Sequence, residues 1–322
     1  MLSLEDLYRP VEVELEEVRA TVSEYWAQAL ALVDGPSVSP PKAGGKLLRP
    51  ALCLLSAGLA GADDIARFVP LATAVELLHV AALTHDDVVD KADRRRGMAS
   101  LNALWDERTA VLSGDYLVAC AIELMASLGS SPLIASVFGA VRRMSEGELA
   151  TVRRAQDPFT EEDCLRLAEQ KTATYFAATC TAPTYLIGDT RREALHRFGL
   201  ALGVAFQLID DVLDVAQDEG ALGKPSCGDV AEGKKTLPVL LIREGLPVAE
   251  RVRFNAMVGS TITDDDRQWL AARLADTGAR AHTEGLARQY AADACAALAP
   301  FPASLHKEAM LGLSEFVLVR GS

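Results

Sequence analysis

Two short stretches of the chain repeat one chemical device. HDDVVD spans residues 85–90 and IDDVLD spans residues 209–214. On a helix, Asp86 and Asp90 stand four residues apart and stack on one face, and Asp210 and Asp214 do the same. Like charges at that spacing destabilise a helix by roughly 0.2–0.5 kcal/mol per pair. Each cluster follows an apolar run, which places it near the C-terminal end of a helix, where carboxylates also oppose the macrodipole. An arrangement unfavourable on two counts calls for a compensating cation. Ligation by carboxylate and water oxygens suits Mg2+, which usually shares its shell with a phosphate.

Basic side chains supply the complementary half. Lys46 and Arg49 lie in GGKLLRP, and Arg94, Arg95 and Arg96 follow the first acidic cluster. Lys171 and Thr172 sit in EQKTATYF, and Lys224 and Lys234 lie in the glycine-containing segment after the second cluster. With 32 Lys and Arg against 45 Asp and Glu, these cations are scarce charges set beside motifs. Guanidinium forks and ammonium point charges suit phosphate oxygens. Taken singly each reads as a surface ion pair; as a set they read as a site for a phosphorylated ligand.

The elements that must position these groups read as helix after helix. Apolar residues recur at three- and four-residue spacing, alanine and leucine abound, and no period-two alternation persists. Thr160 and Thr263 each precede an acidic triplet and an apolar periodic run, a pattern that predicts N-caps. Asp64 is expected to cap the long helix carrying HDDVVD. No linker separates two compositionally distinct halves, so the expectation is one all-α domain over residues 1–322. The net charge of −13 argues against general nucleic-acid binding. No unbroken run of 18 apolar residues marks a transmembrane helix. The stretch MLSLEDLYRPVEVELEEV is too acidic for a signal or transit peptide. Six scattered cysteines without CxxC spacing fit reduced cytosolic thiols. The five histidines form no HExxH pair.

Five motifs then occur in a recognisable order: GGKLLRP, ELLHVAALTHDDVVDKADRRRG, GDYL, the KTA of EQKTATYF, and FQLIDDVLD followed by GKKTLP. From about residue 44 to residue 241 the chain resembles the trans-type polyprenyl diphosphate synthases of the polyprenyl synthetase family. The resemblance implies an all-α fold of antiparallel helices around a deep central cavity, usually as a homodimer. It implies head-to-tail condensation of isopentenyl diphosphate with an allylic diphosphate, aided by three Mg2+ ions. By motif position, Asp86, Asp90 and Asp210 would be direct metal ligands, with Asp87, Asp211 and Asp214 acting through water or the outer shell. Arg95, Lys171, Lys224 and Lys234 would hold the allylic diphosphate. Lys46, Arg49, His79 and Arg96 would hold isopentenyl diphosphate, and Thr172, Phe206 and Gln207 would line the reacting end.

Two details refine this expectation. The family usually has glycine where Cys227 stands, which questions the loop around Lys224, because glycine often serves a backbone angle that other residues avoid. The family's short-chain enzymes carry a large aromatic at the fifth position before the first motif aspartate. That position is Ala81 here, beside Ala82, and Leu78 would extend the same cavity wall one turn deeper. The small residue at 81, and the absence of the two-residue insertion between Asp87 and Asp90 that marks one short-chain class, favour a product beyond fifteen carbons, with thirty to fifty preferred and twenty second, on a floor drawn from residues such as Met125, Phe138 or Met144. Long lipid products suggest a cytoplasmic protein with transient membrane contact. Two rivals remain: a class I terpene cyclase, whose second metal motif normally differs from DDVLD, and a regulatory subunit of a heteromeric synthase, which tends to lose motif aspartates retained here.

Overall fold

The computed structural model describes residues 3–33, 45–90, 94–95, 98–153, 159–216 and 226–319. In chain order the helices are α1 (Leu4–Tyr8), α2 (Glu12–Ala31), α3 (Leu48–Leu59), α4 (Val69–Val89), α5 (Leu101–Leu104) and α6 (Glu107–Ser127). They continue with α7 (Ser131–Arg153), α8 (Glu161–Ala168), α9 (Thr174–Thr181), α10 (Thr184–Ile187) and α11 (Arg192–Ala216). The last are α12 (Gly228–Ala231), α13 (Leu237–Gly245), α14 (Val248–Met257), α15 (Asp264–Asp276), α16 (Ala279–Ala297) and α17 (Leu305–Val319). The all-α expectation holds among the described residues, apart from one two-residue antiparallel pair, Arg94–Arg95 with Met98–Ala99.

Local chemistry sets the helix starts. Thr160 and Thr263 form capping boxes with Asp163 and Asp266, as their sequence context predicts. Asp64 does not cap α4: its carboxylate accepts from the Ala66 N–H at 3.0 Å, at the entry of the short 3-10 turn Ala66–Phe68 that leads into α4. The proline at the start of α4 needs no such partner, since its missing N–H is one the first turn leaves unpaired anyway.

Burial along α4 changes character where the chemistry begins. Residues 71–78 are buried without a break, as in a helix enclosed on all sides. Beyond them only Ala81, Thr84 and Asp87 are buried, at three-residue spacing, so one face alone stays covered. By length and composition two helical stretches, Ala66–Val89 and Glu107–Ser127, could cross a membrane, a property that mean hydropathy reveals and a search for unbroken apolar runs misses. The first is largely core, and the second keeps an exposed apolar face.

Backbone comes close to backbone along α11. A Cβ on Gly199 would lie 2.7 Å from the Ala177 Cα and the Phe176 carbonyl oxygen, and one on Gly203 would lie 2.5 Å from the Ala173 Cα. The two glycines are four residues apart and form a groove along α11 that seats α9 and the turn before it. Replacing Gly203 by Ala is expected to destabilise the protein by about 1–3 kcal/mol, because backbone rather than a flexible side chain must move. Gly285→Ala, on α16 with nothing within 4 Å of the added carbon, is expected to stabilise by roughly 0.5–1 kcal/mol. Thermal unfolding of the two variants checks the pair; equal effects would refute the backbone-contact account.

Candidate active site

The first aspartate motif ends α4, with Asp90 as its C-cap. Asp86 and Asp90 are half-buried, and Asp87 is buried. The second motif occupies the last turns of α11, where Asp210 is exposed while Asp211 and Asp214 are only 6 % and 3 % exposed. The four-residue pair of the second motif is therefore split between solvent and interior.

Two lysines connect the motifs. Lys234, in the segment after α12, donates to Asp90 Oδ2 at 2.9 Å and also pairs with Glu232. Burial disfavours its charge, but Glu232 and Asp90 outweigh this and hold the ammonium well above the ordinary lysine value. Lys171 pairs with Glu148 of α7. Burial again opposes its charge, and Glu148 with Asp86 more than compensates, so its pKa is raised. The carboxyl of Asp211 is pushed up to about 7 by burial and by the neighbouring Asp210 and Asp214, against the lowering effects of Gln207 and Lys171. Lys171 thus acts electrostatically on Asp86 of one motif and Asp211 of the other.

Lys171 and Thr172 lie in a single π turn, Glu169–Ala173, where the Thr174 N–H reaches back five residues to the Glu169 carbonyl. Such turns insert one extra residue into a helix and recur at functional sites. The Thr172 hydroxyl donates to Gln207 Oε1 at 2.5 Å, and Gln207 Nε2 donates to Asp211 Oδ1 at 2.6 Å. One step along, the Phe206 and Phe176 rings lie 5.3 Å apart. The Arg49 guanidinium stacks 4.9 Å from the Phe176 ring centre and 5.9 Å from that of Tyr175. Its Nη1 is 3.1 Å from His79 Nε2, which joins α3 to α4. Lys46 sits 5.6 Å over the Phe316 ring of α17, and its carbonyl accepts from the Tyr8 hydroxyl at 2.6 Å. His85, within the first motif, turns away toward α6: its Nε2 is 3.2 Å from the Val111 carbonyl, and a Cβ on Gly114 would lie 2.3 Å from that nitrogen. This explains the glycine of GDYL by close packing.

Arg96 and Lys224 lie outside the described residues, and Arg95 is described by its backbone alone. Ala81 (1 % exposed) and Leu78 are buried on α4, while Ala82 is half-buried. Glu148, Glu232, Tyr175 and Phe176 hold the cationic residues in place and were not singled out by the sequence reading. Glu148 had no signal of its own, since only the fold brings α7 beside the π turn; the aromatic pair directly follows KTA and was legible as a neighbour of Thr172.

Among the described residues no three carboxylates, imidazoles or thiols converge into a metal cage. A divalent ion such as Mg2+ is commonly held by one or two carboxylates plus substrate phosphates. The donors at both helix ends are carboxylate oxygens, as the ion prefers.

Cys227 adopts the left-handed conformation (φ 60°, ψ 29°) that the glycine expected there would take freely. It is fully buried, and its N–H donates to the Asp214 carbonyl at 2.6 Å. The Asp229 N–H then donates to Asp214 Oδ2 at 2.9 Å. The loop keeps a glycine-like path with a cysteine in it, so the departure leaves the described part of the loop in order.

Two aspartate motifs at helix ends with lysines beside them, in an all-α fold, make an arrangement suited to a diphosphate held through a divalent metal. The sequence profile of the polyprenyl synthetase family matches residues 32–271, and the chain belongs to that family as a trans-prenyltransferase. It is 33% identical over 318 residues to an all-trans-nonaprenyl-diphosphate synthase (geranyl-diphosphate specific) of Rhodobacter capsulatus, covering 98% of each. It is 38% identical over 242 residues to a heptaprenyl diphosphate synthase component 2 of Geobacillus stearothermophilus, covering 74% of this chain and 72% of the relative. Among solved structures, a polyprenyl synthase from Caulobacter crescentus complexed with calcium and isoprenyl diphosphate aligns with TM-score 0.90 and 36% identity, covering 99% of this chain and 98% of that one.

The left-handed backbone at position 227 sets an expectation for substitutions there. Cys227→Gly removes roughly 1–2 kcal/mol of backbone strain and loses a small buried side chain, so its unfolding free energy should stay within about 1 kcal/mol of the parent. Cys227→Val, apolar but β-branched, should destabilise by more than about 2 kcal/mol. Chemical denaturation of both measures the difference, and equal stability would remove the strain argument.

Proposed function

We propose that the chain is a single domain that elongates an allylic diphosphate with isopentenyl diphosphate to a trans-polyprenyl diphosphate of twenty carbons or more, with thirty to fifty carbons the first choice and twenty the second. The observation that carries this reading is the pair of aspartate motifs at the ends of α4 and α11, with the Lys234 ammonium on Asp90 and Lys171 acting electrostatically on Asp86 and Asp211. Asp86, Asp90 and Asp210 are assigned as direct ligands of three Mg2+ ions, with Asp87 and Asp211 behind them. When bound, Mg2+ neutralises charge on the departing diphosphate.

The protein's own groups have separate tasks. Lys171 and Lys234, with Arg95 and Lys224, orient the allylic diphosphate so that its C–O bond can break. Arg49, placed beside His79 and over the Phe176 ring, joins Lys46, His79 and Arg96 on the isopentenyl diphosphate. Thr172, Gln207 and Phe206 line the reacting end. The allylic C–O bond breaks to give a cation and diphosphate, the double bond of isopentenyl diphosphate attacks that cation, and the departed diphosphate takes the proton then lost. The apolar pocket this reading requires would keep water from the cation. Small residues at 81 and 82 leave room along α4 for a growing chain, and the nonaprenyl product that names one relative supports a long product.

A homodimer is the assembly this reading favours. Helix α6 exposes Val111, Leu112 (56 % exposed) and Ile122, an apolar row suited to a second copy of the same helix. A cytoplasmic enzyme that touches membrane transiently during product release completes the proposal. The component 2 relative supports a second reading, in which this chain is the catalytic half of a heteromer.

The decisive assay incubates the purified chain with Mg2+, isopentenyl diphosphate and primers of five, ten, fifteen or twenty carbons, and sizes the products by mass spectrometry. A ladder ending at a defined length is expected, with chelation of Mg2+ or Asp86→Ala abolishing it while helical content stays intact. Hydrocarbon release without elongation would point to a cyclase, and inactivity of the chain alone to the heteromer. Ala81→Phe is expected to shorten the product by at least one isoprene unit; an unchanged distribution would move the cavity wall elsewhere.

A further inference from the structure

We propose that Asp214 is a positioning residue that fixes Lys234 against the first aspartate motif, rather than a ligand of the metal. This rests on the prenyl transfer proposed above and concerns the division of labour within DDVLD. Asp214 is nearly buried, whereas Asp210 on the preceding turn is exposed. Both ends of Asp214 are engaged by one turn of chain. Its carbonyl accepts from the Cys227 N–H at 2.6 Å, and its Oδ2 accepts from the Asp229 N–H at 2.9 Å. A Cβ on Gly228, between those two donors, would lie 3.4 Å from Oδ1, so the turn is laid against the carboxylate itself.

From Asp229 the connection runs to the site. The Lys234 N–H donates to the Asp229 carbonyl at 2.7 Å, and Gly233 reverses the chain with φ 70°. The Lys234 ammonium then crosses to Asp90 Oδ2 at 2.9 Å. Asp214, on α11, thereby sets where a lysine meets an aspartate of α4. The strained Cys227 is explained by the same chain of contacts: the left-handed angle aims two successive stretches of backbone N–H at one aspartate. The last carboxylate of the second motif serves the diphosphate through a lysine, and Asp210 serves the metal.

The test is calorimetric titration of the full chain with Mg2+ and inorganic diphosphate, a readout that stands whether or not the chain elongates any primer. Asp214→Ala is expected to weaken diphosphate binding about tenfold, the scale of one displaced charge-assisted contact, with the Mg2+ concentration needed for half-maximal binding unchanged. Asp214→Asn, whose amide oxygen can still accept from Asp229, should recover most of that loss, whereas Asp210→Asn should raise the Mg2+ requirement. In a Lys234→Ala background, Asp214→Ala should add less than about a twofold further effect, since residues acting through one another are not additive. A raised Mg2+ requirement in Asp214→Asn, or full additivity with Lys234→Ala, would overturn the proposal. Should Asp214→Ala not fold, Asp214→Asn decides alone by the same Mg2+ criterion. An inactive wild type that still shows this binding pattern would move the proposed function to the heteromer and leave the role of Asp214 standing.

Discussion

The contact between α11 and the segment 173–177 governs the geometry of this protein. Two glycines let backbone approach backbone where any side chain would hold the helices apart. Because the helices are that close, Thr172 can reach Gln207 and Phe176 can reach Phe206, and the stack continues to Arg49. A separation larger by one methyl group would leave the hydrogen-bonded pair out of range and detach the aromatic shelf from the guanidinium. Packing at this groove and charge placement at the site are one constraint, expressed first in steric and then in electrostatic terms.

The electrostatics follow from burial beside like charge. Asp87, Asp211 and Asp214 are enclosed, and Asp211 responds with a raised pKa. The pKa values of Lys171 and Lys234 are raised as well, which for an ammonium favours the charged form: carboxylates hold both lysines charged despite burial. Such a cluster is ill-suited to standing alone and well-suited to a ligand that brings cations and phosphate together, since each would satisfy groups the fold has already concentrated. The aspartates destabilise the ends of two helices, and the packing of α4 and α11 into the core compensates for it.

Much of this was legible in the residues. The helical periodicity, the Thr160 and Thr263 caps and the two aspartate motifs all have local signals, and local signals survive folding. Glu148 and Phe316 do not: each matters because a distant element arrives beside a basic residue, and no spacing rule encodes that arrival. The split between Asp210 and Asp214 was hidden for a related reason. Helical spacing places them on one face, but the turn around Cys227 covers only the second of them. Asp64 shows a smaller failure: its carboxylate accepts from the Ala66 N–H two residues on, just before a short 3-10 turn that sequence reasoning merged with the helix behind it.

The π turn at Glu169–Ala173 bears on how this chain can change length. One additional residue in a helix rotates everything after it by about 100° relative to everything before. That offset lets α8 present Cys164 to the interior while α9, on what would otherwise be a different azimuth, lies in the glycine groove of α11. A single-residue deletion here would restore a regular helix and swing one of the two segments out of its seat. Indels in this stretch are therefore excluded by phase rather than by loss of any one side chain, in a region where each residue taken singly looks replaceable.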